Sequence, residues 1–448
     1  MIRQAGAPVP EVSTTRLPRM ASEPVTSAAL RPLRALRYDP DRVDLAEVVV
    51  PPYDVIPPAD RDRYAAASEF SAVHLVLPDS PSRAGRLLYE WRQEGILVQD
   101  DEPALWWHVQ DYIGPDGGEG SRSGFVSAVR LSDYSEGRVR AHEQTHATAK
   151  AGRLELMRAT STNLSPVFGV YDDPSSGPRE ALLPHVSDEP AMQVRDADGT
   201  THSFWPVTDA DAIAAVQDAM ADRDIVIADG HHRYETAVAY RDERRVRDGD
   251  AHGDQPYDFM LMHLVNLEGE GLEIYPTHRV VMGRREVTDE VLHAFAVTEV
   301  EGPPAQVEEA LRRVPADTIA FAVWRGAGRP ALLCTLRDRG AVGMAMMGTP
   351  APLRSVDAAV LEAVVLAPLL GLLDPAQFVT TESIQYVREL GAATALVDQG
   401  EASAAFLLRA PTVDQVRAVA AAGAVMPQKS TYFFPKLFCG FLFNPLDA

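Results

Sequence analysis

The chain has 448 residues, 46% hydrophobic and 24% charged, a composition typical of a globular protein with two or three packed units. Its formal charge of −22 at pH 7 excludes a general attraction to nucleic-acid phosphate or to an anionic membrane. The two cysteines, Cys334 and Cys439, are too few for a disulfide framework, as expected of a cytoplasmic protein. The longest apolar stretch, residues 358–373, is interrupted by Glu362 and Pro368, so no membrane span is expected.

Apolar periodicity predicts the order of the elements along the chain. Residues 1–30 are rich in Pro, Ser, Thr and Ala and are expected to form a disordered tail that lacks a secretory signal. Strands are predicted at residues 34–40, 46–56, 71–77, 104–113, 121–131, 191–195, 202–206, 224–228, 257–267, 272–282, 318–325, 330–337, 341–347 and 401–410. Helices are predicted at residues 83–95, 210–223, 305–313 and 355–371, and from Gly230 onward.

This order of elements predicts an α/β or α+β fold, a mixed sheet with helices packed around it. We expect a main α/β domain at residues 31–287 and a smaller α+β lobe at 288–350. Residues 351–448 are expected to return to the main domain. Their last part, from 426, is aromatic and apolar and should be docked.

Lysine is rare in this sequence. Only Lys150, Lys429 and Lys436 occur among the 42 basic residues, and arginine supplies all the others. A biased genome explains the arginine excess, but not the positions of the remaining lysines. Each lysine is therefore a candidate for a role that needs a compact ammonium group.

The clearest motif is Asp229-Gly230-His231-His232-Arg233, where an apolar strand runs directly into a long helix. A helix N-terminus presents unpaired N–H groups and a positive dipole to an anion. Gly230 and His231 would bind phosphate through this turn, and Arg233 could hold it with two N–H groups. Asp229 could hold a metal ion or accept a proton, and His232 is the other candidate acceptor. The alternative is an ordinary helix cap with surface histidines.

A second polar segment precedes this motif. It comprises His142, Glu143, Thr145, His146, Lys150 and Arg153. His142, Glu143 and His146 match the HExxH pattern of zinc proteases, but the flanking residues are polar and Ala149 stands where the extended motif has glycine. Zinc catalysis is therefore disfavoured, and the segment is better interpreted as a set of anion ligands. An exposed helix with ordinary ion pairs is the alternative.

Three further residues complete the candidate site. Asp54 follows a proline-rich junction, where it could act as a general base or cap the next helix. Arg279 and Lys429 could add positive charge to the same pocket, or form ordinary ion pairs. The sequence has no Walker A motif, no GxGxxG after a strand, no kinase HRD and DFG set and no GxSxG elbow. The common nucleotide-binding and hydrolase folds are therefore not expected.

Several motifs together resemble a known family. VVVPPYDVI, HEQTHATAKAGRLELMRATSTNLSPVFGVYDD, IADGHHRYETA, PTHRVV and MPQKSTYFFPKL are similar, in this order along most of residues 31–445, to a bacterial and archaeal family known only as a domain of unknown function. The DGHHR turn further resembles the phosphate-binding turn of the ParB/sulfiredoxin-like superfamily. That superfamily includes free L-serine kinases, which make O-phosphoserine from ATP, ADP or pyrophosphate.

The resemblance implies a ParB/sulfiredoxin-like core elaborated by the 288–350 lobe, with residues 229–233 at the donor phosphates. Asp54 or Glu143 would contact the acceptor, and Mg²⁺ would be held by phosphate oxygens and Asp229. The implied reaction is in-line phosphoryl transfer to the hydroxyl group of a small molecule, L-serine first among the candidates. A phosphatase or pyrophosphatase, or a nucleotide-binding switch protein, would use the same pocket. No nucleic-acid or membrane partner is expected.

Overall fold

The computed structural model describes residues 29–115, 117–141, 147–249, 254–283, 285–288, 290–372, 377 and 382–447. The predicted tail at residues 1–30 lies almost entirely outside the described residues. His142, Glu143, Thr145 and His146 also lie outside them, so the predictions for these residues are not addressed. Lys150 is described as part of a helix, without its side chain.

The strands of the described residues are short, and several pair in small two-stranded sheets. They are β1 (Leu30–Arg31), β2 (Leu36–Tyr38), β3 (Leu97–Gln99), β4 (Leu105–Ile113), β5 (Glu119–Arg130), β6 (Val139–Arg140), β7 (Thr162–Asn163), β8 (Val167–Tyr171), β9 (Met192–Arg195), β10 (Thr201–Val207), β11 (Ile225–Asp229), β12 (Phe259–Asn266), β13 (Glu273–Tyr275), β14 (His278–Met282), β15 (Phe295–Val300), β16 (Ala320–Trp324), β17 (Ala331–Leu336), β18 (Ile384–Val387), β19 (Ala402–Leu407), β20 (Tyr432–Phe434) and β21 (Asn444–Pro445).

The α-helices of the same residues range from single turns to one long helix. They are α1 (Leu45–Val48), α2 (Pro58–Ala67), α3 (Val73–Val76), α4 (Pro81–Gln93), α5 (Ala147–Thr160), α6 (Gly177–Leu182), α7 (Ala210–Met220), α8 (His231–Asp248), α9 (Pro304–Arg312), α10 (Arg339–Ala345), α11 (Asp357–Leu361), α12 (Ala367–Leu370), α13 (Leu390–Asp398) and α14 (Val413–Ala421). A π-helical turn, Glu362–Leu366, joins α11 to α12.

The larger sheet has nine strands and mixes both directions of pairing. Its order is β6-β11-β8-β12-β5-β4-β10-β9, with β1 paired to β5. The β6–β11 and β8–β12 pairs are parallel and the others are antiparallel. The predicted mixed sheet with surrounding helices is therefore confirmed.

A second, antiparallel sheet has the order β15-β17-β16-β19-β14-β18. Three of its strands lie in the predicted 288–350 lobe, and the other three come from segments before and after that lobe. The sheet therefore extends beyond the predicted boundaries. One apolar core joins the two sheets, since Phe168 and Val226 of the larger sheet belong to the same buried cluster as Phe321 and Phe406 of the smaller one.

The C-terminal segment is docked on the larger sheet and its surroundings, as predicted. β20 pairs with β13, β21 pairs with β7, and Cys439 and Phe443 exchange backbone hydrogen bonds with Val50 and Leu36. The side chains of Phe438 and Phe443 are buried in the core that covers α1, α3 and α4. Among the described helices, none has the length and apolar character needed to cross a bilayer.

Three predicted strands are wrong, and local capping favours a helical turn in two of them. The run at 46–56 begins inside α1, where the Asp44 side chain accepts a hydrogen bond from the Ala46 N–H. The run at 341–347 lies mostly in α10, which Asp338 caps in the same way. The run at 71–77 contains α3. Period-2 patterns over so few residues do not separate a buried strand from a buried helical turn.

Candidate functional site

A cavity of about 430 Å³ lies where β11 runs into α8, with walls from both large sheets and from the C-terminal segment. Its walls include Tyr53, Asp54, Asp229, Gly230, His231, His232, Arg233, Thr277, Tyr386, Arg388, Gln428, Lys429, Thr431, Tyr432 and Lys436. Among these described residues, four Lys or Arg side chains face two carboxylates. The cavity is therefore positive within a chain whose formal charge is −22.

The turn at Gly230 shapes the floor of the cavity. Gly230 has φ 95°, a left-handed conformation that favours glycine, and it precedes the 18-residue helix α8. A Cβ atom at this position would lie 2.9 Å from the Arg233 guanidinium carbon. Only glycine therefore combines this turn with this position of Arg233, and the first residues of α8 line the cavity.

Asp229 holds two cations in place at the end of β11. Its Oδ2 accepts a hydrogen bond from Lys436 Nζ at 2.7 Å, and its Oδ1 lies 3.6 Å from Arg233 Nη2. Burial alone would raise the pKa of Asp229, but the charges of Lys436 and Arg233 outweigh burial and hold the pKa well below its usual range. A carboxylate so engaged stays ionised and is a weak proton acceptor, and the proposed roles of Asp229 as proton acceptor and metal ligand stay predictions.

Arg233 is buried behind the turn and is held in a fixed orientation. Its Nη1 donates a hydrogen bond to the carbonyl oxygen of Pro166. Burial alone would lower the pKa of Arg233, but the nearby Asp229 and Asp54 carboxylates raise it. His231 is buried and His232 is half-buried at the same turn. The structure thus brings together all five residues of the predicted DGHHR motif.

A buried arginine outside the motif holds the segment that carries Lys436. Arg122 is fully buried and donates to Gln110 Oε1, to the Phe434 carbonyl at 3.0 Å and to the Pro435 carbonyl at 2.6 Å. The Gln110 amide donates to the carbonyl of Lys436 itself at 3.3 Å. Burial lowers the pKa of Arg122 to about 9. Arg122 and Gln110 therefore position Lys436, which only the scarcity of lysine indicated from the sequence.

Arg279 supports the site but does not line the cavity. It is fully buried, pairs with Glu362 at 3.2 Å and donates to the carbonyls of Thr277, Gln428 and Lys429. These contacts engage its guanidinium group within the protein, outside the cavity lining, and its predicted role in phosphate binding stays a prediction. Its role is to hold the backbone of Lys429, whose φ of 55° is unusual for a residue other than glycine.

The opposite wall contains two residues that the sequence did not indicate. The guanidinium carbon of Arg388 lies 4.4 Å from the ring centre of Tyr432, and Lys436 Nζ lies 4.5 Å from the same ring. Tyr432 therefore packs between two cations. Neither Arg388 nor Tyr432 belongs to a motif with a mechanistic meaning, which is why sequence reasoning did not select them.

Asp54 and Arg153 lie on either side of Tyr53. Asp54 is exposed at the cavity wall and forms no ion pair with the described residues. Arg153 does not line the main cavity; its guanidinium carbon lies 3.5 Å from the Tyr53 ring centre. No group of three or more His, Cys, Asp or Glu side chains arranged for a metal ion occurs within the described ranges.

Comparison with known proteins identifies the family. Residues 30–359 match the family described as "Protein of unknown function (DUF1015)". The chain belongs to this family. The predicted membership of a family of unknown function is therefore confirmed. The match ends before Arg388, Lys429 and Lys436, so these three cavity residues lie beyond the matched range.

Several solved structures are distantly similar. A free serine kinase in complex with AMP is 16% identical, with 68% of this chain and 89% of that chain covered and a TM-score of 0.34. A conserved hypothetical protein from Pyrococcus furiosus is 15% identical (67% and 89% covered, TM-score 0.32). SbnI with a C-terminal truncation, from Staphylococcus aureus, is 11% identical (72% and 87% covered, TM-score 0.36). The implied distant similarity to free serine kinases is thus found, at a level that assigns no activity. No curated protein matches.

Proposed function

We propose that this protein is a phosphotransferase that moves a phosphoryl group from ATP, ADP or pyrophosphate to the hydroxyl group of a small amino acid, L-serine first. One observation carries the proposal: a positive cavity of about 430 Å³ surrounds a glycine turn and the N-terminus of α8. A strongly acidic chain that concentrates cations in this way is built to receive a compact, highly charged anion.

The donor phosphates would lie against the N–H groups at the start of α8. Arg233 would hold them with a fixed guanidinium group, and Lys429 and Arg388 would neutralise their outer charge. Lys436, whose Nζ is held by Asp229 at 2.7 Å, adds a further positive charge beside the end of β11. In phosphoryl transfer such positioning and charge neutralisation provide most of the catalysis.

The acceptor hydroxyl would be oriented by a carboxylate. Asp54 is the cavity carboxylate that forms no ion pair with the described residues, so we assign it this role, with His232 as the second candidate. The hydroxyl oxygen forms a bond to the terminal phosphorus, the bond from phosphorus to the leaving phosphate breaks, and the hydroxyl proton passes to Asp54. Asp229 keeps Lys436 in position throughout.

Mg²⁺, when bound to the donor phosphates, would neutralise charge on the transferring group. Asp229 is engaged by two cations, and no group of three or more metal-ligating side chains occurs among the described residues. We therefore propose that Mg²⁺ enters bound to the donor phosphates, while Asp229 as an additional ligand stays a prediction.

The test is to incubate the purified protein and Mg²⁺ with L-serine and, in turn, ATP, ADP and pyrophosphate, and to follow O-phosphoserine by ³¹P NMR. Phosphoserine from one donor supports the proposal and identifies the donor. Loss of donor that does not depend on an added acceptor would support a phosphatase or pyrophosphatase instead. No loss of any donor would overturn the enzymatic proposal.

Asp54→Asn should reduce turnover about 100-fold or more, because the amide cannot take the hydroxyl proton. Asp60→Asn is a matched control, since Asp60 lies six residues further along and does not line the cavity. We expect the control to keep wild-type turnover in the same assay. Equal turnover in Asp54→Asn and wild type would remove Asp54 from the mechanism.

A further inference from the structure

A second, smaller cavity of about 50 Å³ adjoins the first and shares Tyr53 and Arg233 with it. Its remaining lining residues are Val76, Arg153, Leu156, Met157, Thr160, Thr162, Asn163, Leu164, Ser165, Thr236 and Met260. Five of these eleven side chains are apolar and six carry polar groups, and ten of the eleven residues are buried. Polar groups shielded from water in this way interact strongly with one another and with a ligand.

Arg153 enters this cavity without a counter-ion among the described residues. Its Nη1 donates to the Val76 carbonyl at 2.5 Å, and its guanidinium group stacks on Tyr53. Burial is the main cause of the lowered pKa of Arg153, although Asp54 and Tyr53 act in the opposite direction. Arg153 is half-buried, and a charged group partly shielded from water without a carboxylate partner is favoured when a ligand supplies the missing charge.

Two buried polar atoms on the lining also have no hydrogen-bond partner among the described residues. They are Asn163 Nδ2 and Thr236 Oγ1, from residues that are 1% and 2% exposed. The Asn163 amide orientation is fixed, because its Oδ1 accepts from the Leu261 N–H and from Asn444 Nδ2, each at 3.0 Å. Its NH₂ group is therefore a buried donor with no acceptor among the described residues. Buried donors of this kind are rare unless a ligand or a water molecule accepts their hydrogen bond.

We propose that this small cavity binds the carboxylate group of the acceptor amino acid, an inference that rests on the proposed function. Arg153 supplies the positive charge, and Asn163 Nδ2 and the Thr236 hydroxyl supply neutral donors. Since Asp54 directly follows Tyr53, the carboxylate and the reacting hydroxyl of one short molecule can reach their partners together. A volume of about 50 Å³ admits a carboxylate but no long chain, so the acceptor class is a short α-amino acid with a hydroxyl group on its side chain.

The test compares L-serine with L-serinamide, which keeps the hydroxyl and amino groups but replaces the carboxylate by a neutral amide. We expect the wild-type protein to favour L-serine about 100-fold in kcat/KM. In Arg153→Met that preference should fall below about 10-fold, through a higher KM for L-serine, with the KM for the phosphate donor unchanged. Arg158→Met is the matched control on the same helix, because Arg158 is half-exposed and pairs with Glu243; its preference should equal that of the wild type.

Thr236→Val tests the same cavity without loss of charge. It keeps the side-chain shape and removes a hydroxyl with no partner among the described residues, so we expect normal folding and a several-fold higher KM for L-serine. Equal use of L-serine and L-serinamide by the wild type would overturn the inference while leaving phosphoryl transfer in place. If no acceptor is phosphorylated, the proposed function fails, and calorimetric titration with L-serine and L-serinamide then tests the inference by itself. Binding of L-serine that Arg153→Met abolishes supports the inference. Equal binding of the two compounds, or no binding of L-serine, overturns it.

Discussion

At the residue scale, burial lowers the pKa of four histidines, His108, His202, His263 and His278. His278 is 2% exposed, and its Nδ1 accepts a hydrogen bond from the Leu408 N–H at 3.2 Å. Burial and the neighbouring Arg279 lower its pKa to about 4. The unfolded chain would titrate this group near its ordinary pKa of about 6.5. The unfolded state therefore binds more protons than the folded state between these two values.

Because the pKa of His278 is lower in the folded state, its contribution makes the protein less stable as the pH falls through the interval between the two values. Between pH 7.5 and pH 5 the free energy of unfolding should decrease by about 2 kcal/mol from His278 alone. His278→Asn keeps an acceptor for the Leu408 N–H and removes the titration. Urea denaturation at both pH values should show that the variant loses about 2 kcal/mol less than the wild type. An equal loss in both proteins would contradict the assignment.

Three further histidines should also make the protein less stable as the pH falls. A chain of hydrogen bonds joins Asp196 to His202, His202 to His108 and His108 to His263, at distances of 2.9, 3.2 and 3.2 Å. Burial is the first cause of the lowered pKa of each of these histidines. If His202 Nε2 donates to Asp196, then His108 Nε2 donates to His202 Nδ1 and His263 Nε2 donates to His108 Nδ1. Both accepting rings, His202 and His108, must then be neutral. The stability of the His278→Asn variant should therefore still depend on pH.

At the element scale, the sequence predicted the elements that carry strong local signals. The turn from β11 into α8, the β4–β5 hairpin and the helix around α9 all follow from periodicity, capping and turn residues. The sequence did not predict which strands pair. Residues 257–267 and 272–282 were each predicted as a strand, but β12 belongs to the larger sheet, β14 belongs to the smaller one, and β13 pairs with β20.

The candidate site was predicted in part, for a physical reason. Asp229 to Arg233 are adjacent in sequence, so one motif indicates them together. Lys436 reaches Asp229 across 207 positions, and only strand pairing and the Arg122 contacts bring it there. Periodicity and spacing contain no information on such contacts, and Arg388 has no motif at all. Long-range partners of a recognised motif are therefore what sequence reasoning misses.

Arg122→Met should loosen the part of the C-terminal segment that carries Lys436, without detaching the segment. The change leaves Gln110 and the carbonyls of Phe434 and Pro435 without their donor, which should lower the free energy of unfolding by about 3 kcal/mol. It should also raise the KM for the phosphate donor, because Lys436 loses its position. Urea denaturation and donor titrations measure the two effects. Wild-type values in both would show that Arg122 does not position Lys436.

At the scale of the whole molecule, the cavity lies between two sheets that share one core. Gly230 and Arg233 follow the larger sheet, whereas Thr277, Tyr386 and Arg388 belong to or adjoin strands of the smaller one. An anion bound in this cavity would contact residues that follow or adjoin both sheets. Ligand binding should therefore stabilise the protein as a whole by linking its two halves.

Pyrophosphate at about 100 times its dissociation constant should stabilise the folded protein by about 2.7 kcal/mol, seen as a higher Tm in a thermal melt. Arg388→Ala should lose most of this increase at the same concentration, because it removes the cation on the smaller sheet's side. Arg312→Ala, on the exposed surface of α9, should keep the full increase. A full increase in Arg388→Ala would show that the anion contacts the larger sheet alone.

The scarcity of lysine gives this protein an unusual chemical property. An acylating reagent that modifies primary amines finds three lysine side chains in the whole sequence, and two of them, Lys429 and Lys436, line one cavity. A bound polyanion would cover both. Covalent labelling followed by mass spectrometry therefore reads the occupancy of this cavity directly, in a protein where such labelling is otherwise almost silent.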